Sequence, residues 1–111
     1  MSINRLIEDA EMEKALDYLR DNARAIGQAR KQLILKEKMV KHVVALLKKG
    51  FEGSQATREM EAYASDKYVK AITEEAEAAG QYEEMRALRE AASAKIEAWR
   101  SEQATIRGMK I

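Results

Sequence analysis

Along residues 8–49 one line of every seventh residue is apolar without a miss: Met12, Leu19, Ile26, Leu33, Val40 and Leu47. Six unbroken repeats at one position define a narrow seam that needs a partner helix along its length, rather than the broader stripe of an ordinary surface helix. A second line closes the chain with Ala64, Ala71, Ala78, Met85, Ala92, Trp99 and Ile106. The only strong turn signal, Lys49-Gly50-Phe51-Glu52-Gly53-Ser54, stands between the two. The pattern predicts an all-α fold: a long antiparallel helical hairpin, a coiled coil whose second helix is alanine-rich. The whole of 1–111 forms one domain, with a helix over about 3–49, a turn at 50–53 and a helix over about 54–107.

Composition agrees with long helices. The 111 residues include no Pro and only five Gly, so little interrupts a helix. With one Trp, one Phe and four Tyr, the core must be thin and aliphatic. No Cys is present, which removes disulfides and thiolate metal sites. An 18-residue apolar run and a signal-peptide pattern are both missing, so the expectation is a cytoplasmic protein with no membrane association.

A net charge of +1 conceals strong segregation. Residues 1–27 carry a net −2, 28–49 a net +6, 50–90 a net −5 and 91–111 a net +2. Folding back at the turn sets each basic stretch against an acidic one, so charge and hydrophobic pattern select the same hairpin. Ser2 is the expected N-cap of the first helix, and Gly50 its C′ residue after Lys48 and Lys49. Ser54 is the expected N-cap of the second helix, with Gly108 just past its end.

Taking the Met12 line as heptad position d places Asp9, Leu16, Ala23, Arg30, Glu37 and Val44 at position a. Arg30 and Glu37 are then polar intrusions that need partners. The hairpin register offers Glu75 to Arg30, and Asp17 or Asp21 to Arg89. In the second helix the a line reads Glu61, Tyr68, Glu75, Tyr82, Arg89, Ile96 and Gln103. Gly27 and Gly80 fall at similar heights and are read as sites of local crowding or a mild kink, with a hinge as the sharper alternative.

Near the turn, apolar residues lie off the seam: Ile34, Leu35, Met39, Val43, Leu46, Phe51, Met60, Tyr63, Val69 and Ile72. One partner helix cannot cover both sides of the first helix, so these residues are the candidate oligomer or partner interface. The expected assembly is a homo-oligomer, a four-helix bundle or larger, with an unknown protein partner as the alternative.

No catalytic constellation is visible. His42 is the only histidine, and no serine and carboxylate are placed around it. The clusters Glu74, Glu75, Glu77 and Glu83, Glu84 lack the His or Cys that a transition-metal site uses and read as a solvated acidic face. No phosphate-binding glycine loop occurs. The reading is therefore a non-enzymatic protein without a cofactor, metal or small-molecule substrate. The candidate nucleic-acid contacts are Lys31, Lys36, Lys38, Lys41, Lys48 and Lys49, with Arg100 and Arg107. The competing reading has these charges neutralising the acidic half of the second helix. Trp99, at a seam position, is read as core rather than as a base-stacking platform.

Three stretches together carry a resemblance. They are Ala15-Leu16-Asp17-Tyr18-Leu19-Arg20, Gly53-Ser54-Gln55-Ala56-Thr57-Arg58-Glu59-Met60-Glu61-Ala62 with Tyr68 following, and Ile96-Glu97-Ala98-Trp99-Arg100-Ser101 leading to Ala104 and Arg107. This pattern resembles a group of small all-helical proteins of tailed bacteriophages, often encoded near recombination and replication genes. The resemblance implies a phage accessory protein in DNA metabolism, working in the cytoplasm of a bacterial host. It supplies no catalytic residues. The expected function is binding in recombination or replication, through nucleic acid or a recombination protein. The alternative is a structural or inhibitory interaction module, for virion assembly or host-defence antagonism, using the apolar patch near the turn.

Overall fold

The computed structural model describes residues 5–109. They form three helices, α1 (Asp9–Gly50), α2 (Gln55–Tyr63) and α3 (Asp66–Met109), with no strand among the described residues. Among the described residues no helix is long and apolar enough to cross a membrane.

α1 begins six residues later than the heptad pattern predicts. Leu6 and Ile7 lie outside it. The carbonyl of Glu8 accepts the amides of Glu11 and Met12 at 3.0 and 3.1 Å, and so opens the helix. Asp9 and Glu11 sit in the first turn, where the exposed amides favour negative charge. The Leu6 amide is held instead by the Glu102 carboxylate at 2.8 Å. The proposed cap Ser2 lies outside the described residues. At the other end Gly50 is still helical, and the left-handed residue is Gly53, at φ +108.

Ser54 caps α2 as expected: its hydroxyl accepts the Thr57 amide at 3.2 Å. The single second helix is not observed. The helical run stops at Tyr63, and Ala64 and Ser65 interrupt it. Ser65 then starts α3, its carbonyl accepting the amides of Tyr68 and Val69 and its hydroxyl that of Lys67 at 3.2 Å. Ser-Asp at 65–66 is an N-cap signal, and the side chain that competes for backbone amides is what ends one helix and begins the next. Tyr63 and Tyr68 meet edge to face across the break at 5.0 Å. Ala64 therefore leaves the second heptad line, which starts at Ala71 and runs through Ile106. α3 continues through Gly108 to Met109.

The chain divides into two compact units, Gly27–Glu83 and a second built from the segments up to residue 26 and from residue 84 on. In Gly27–Glu83 the chain directions oppose. Ascending α1 from Arg30 to Lys36 to Lys48, the partners descend from Tyr82 to Glu74 to Glu59. The buried residues are Ala29, Leu33, Val44, Ala62, Ala71 and Tyr82. In the other unit Ala15, Ile26, Ala92 and Ile106 are buried. There the half-buried Trp99 donates its indole N–H to Asp9 Oδ1 at 2.8 Å, an oxygen that Arg5 also contacts at 2.8 Å. In the same unit Asp21, hydrogen-bonded to Arg20 and close to it, acts with the charge of Asp17 to raise the Arg20 pKa above its ordinary value.

Burial corrects the phase of α1. The Met12 line is covered, but its companion is Ala15, Asn22, Ala29, Lys36 and Val43, three residues after it rather than three before. Of the line expected beside it, Asp9, Leu16, Ala23, Arg30 and Glu37 are exposed and only Val44 is buried. Desolvating Arg30 and Glu37 costs several kcal/mol per ion unless each is fully paired. The line actually used holds small side chains and two polar ones that are satisfied. Asn22 donates to the Tyr18 carbonyl at 3.0 Å, and the Lys36 ammonium reaches Glu74 at 3.1 Å. Arg30 does not pair with Glu75. Its guanidinium lies over the Tyr82 ring, 5.4 Å from the centroid. Arg89 is exposed, and Asp17 and Asp21 pair with Arg20 instead. In α3 the phase is as expected, with Tyr68, Glu75, Tyr82, Ile96 and Gln103 covered beside the alanine-rich line.

Gly27 and Gly80 are both inside helices, and a Cβ built on either meets nothing within 4 Å. Crowding is therefore not their reason.

Candidate protein-interaction face

Within Gly27–Glu83, eight large apolar side chains are exposed: Ile34, Leu35, Met39, Leu46, Met60, Tyr63, Val69 and Ile72. Of the expected patch, only Val43 and Phe51 are half-buried. The patch resolves into separate stripes. Leu35, Met39, Val43 and Leu46 follow one another at steps of four, four and three, the spacing of a single helix face. Ile34 is rotated about 100° from Leu35 and belongs to a different stripe.

The Leu35 stripe is a second apolar seam on α1, beside the one that α3 covers. Leu35, Met39 and Leu46 remain 46, 41 and 56% exposed. At its upper end lies an open groove of about 460 Å³, lined by Val43, Leu46 and Leu47 of α1 and Lys67, Lys70, Ala71 and Glu74 of α3. Its floor is apolar. Its α3 bank carries Lys67 and Lys70, one turn apart, both exposed and without an ion pair to any described carboxylate. The heptad lines of the sequence do not reveal these two lysines, because their role depends on which side of α3 turns toward the seam. Met60 and Tyr63 on α2 extend the apolar surface, and the Lys48 ammonium sits 5.9 Å from the Tyr63 ring centroid.

The basic candidates divide. Lys36 pairs with Glu74 at 3.1 Å and Lys48 with Glu59 at 3.2 Å, so these two neutralise the acidic return of the chain. Lys31, Lys38, Lys41 and Lys49 are exposed and make no ion pair among the described residues. Arg100 pairs with Glu97 of its own helix at 3.3 Å, whereas Arg107 is exposed. Both belong to the other unit. His42 is exposed on α1. Among the described residues no group of three His, Cys, Asp or Glu is gathered in a way that could hold a metal ion.

The comparisons add no relative. No family model matches the chain, and no curated protein or solved structure is similar to it.

Proposed function

We propose that this chain is a non-catalytic binding protein that works by docking another polypeptide on the apolar face of Gly27–Glu83. The observation that carries the reading is the second seam of α1. A helix with apolar residues at helical spacing on two sides is built for neighbours on two sides, and α3 occupies only one. The phage resemblance supplies a setting: an accessory protein in recombination or replication, or an antagonist of a host protein. A photo-reactive amino acid at Met39 or Leu46 should form covalent adducts with another polypeptide in bacterial cytoplasm, while the same group at exposed Ser93 should not. Equal yields from all three positions refute the reading.

A second reading, direct nucleic-acid binding, draws on Lys31, Lys38, Lys41 and Lys49, which make no ion pair among the described residues. It predicts affinity for DNA that falls steeply with added salt, and it fails if no binding occurs at low salt.

A further inference from the structure

We propose that the occupant of the second α1 seam is an acidic amphipathic helix. The inference rests on the interaction reading above and names the partner's chemistry. The residues from Leu35 to Leu46 rise roughly 16 Å, which is the length of about three helical turns. Their spacing matches ridges that interlock with a helix, and no strand edge is present among the described residues to pair with an extended peptide.

Towards its upper end the seam has basic banks on both sides. On the α3 side stand Lys67 and Lys70. On the α1 side Lys31 and Lys38 each lie one helical step from the stripe, and Lys49 stands just beyond its upper end. One acid is unanswered: Glu77, one heptad beyond Lys70 on α3, is exposed and makes no ion pair among the described residues, so the basic part of the α3 bank is its Lys67–Lys70 end beside Val43 and Leu46. Glu74 is engaged by Lys36, Glu37 is rotated about 200° from Leu35 on its own helix, and Asp66 heads the first turn of α3. A helix with Leu on one face and Glu along both edges would bury the apolar stripe and answer the lysines. A basic helix of the same shape would meet like charge on both sides. DNA would answer the lysines and leave Leu35, Met39 and Leu46 uncovered.

The test uses the full chain and a labelled, helix-stapled synthetic peptide of sixteen residues. The peptide carries Leu at the first, fifth, ninth and twelfth positions and Glu at the flanking ones. A second peptide has Lys in place of every Glu. Fluorescence anisotropy should show the Glu peptide binding about ten-fold more tightly than the Lys peptide, with the preference shrinking in high salt. The surface double variant K67E/K70E, checked for helix content, should weaken the Glu peptide and strengthen the Lys peptide. L46E should weaken both. Equal affinity for the two peptides, or indifference to K67E/K70E, overturns the proposal. So does a mass twice that of the chain that L46E reduces to one, because a second copy then covers the seam. Displacement of the Glu peptide by duplex DNA overturns it as well. Photo-adducts from Leu46 without binding of the Glu peptide would sink the acidic-helix assignment and leave the interaction reading standing.

Discussion

Replacing Gly27 and Gly80 by Ala should stabilise the protein. Both positions are helical with right-handed backbone, and the added methyl group meets no atom within 4 Å at either. Glycine in a helix interior is about 1 kcal/mol less favourable than alanine, mostly because the unfolded chain has more freedom to lose. With nothing for the methyl to displace, each single substitution should recover close to that amount. The two should add, since neither new methyl creates a contact through which they would couple. For a chain of this size 1 kcal/mol moves Tm by about 4 °C or more, so the double variant should melt about 8 °C higher than the parent. Thermal unfolding followed by circular dichroism at 222 nm measures this directly, and urea unfolding checks that the slope is unchanged. A double variant with unchanged or lowered Tm would refute the reasoning. It would show that glycine serves something other than open space at these positions. A gain in Tm together with lost peptide binding would point to the hinge that the sequence allows.

Gly53→Ala should destabilise by about 1–2 kcal/mol in urea unfolding, because φ +108 is a region alanine avoids, whereas the new Cβ has only a 3.4 Å contact with Thr57. An unchanged midpoint would mean that the turn readily rearranges. Lys36→Met should leave stability within about 1 kcal/mol of the parent or raise it, since the lost pair with Glu74 is about one-third exposed and methionine fits a seam position. A loss well beyond that would show the ion pair to be structural. Trp99→Phe should cost about 1 kcal/mol or more by removing the indole bond to Asp9, read by chemical denaturation.

The Met12 line was legible from sequence because all six members are bulky and apolar, and every one is covered in the structure. Helical class, the turn near Gly53 and the Ser54 cap follow from the same local chemistry. The break at Ser65 was also written locally, in a Ser-Asp pair, but an unbroken alanine series obscured it. The companion of the Met12 line was not legible, because the lines before and after it both mix small, apolar and charged residues. What decided between them was the partner across the helix. Lys36 can keep its charge by reaching Glu74, whereas Arg30 and Glu37 stay in water, with Arg30 resting on Tyr82. The exposed apolar residues near the turn were likewise visible in the sequence, but their sorting into a stripe flanked by Lys67 and Lys70 was not. Periodicity fixes which residues share a face of one helix. Only packing fixes which side of the next helix that face meets, and so which charges lose their water.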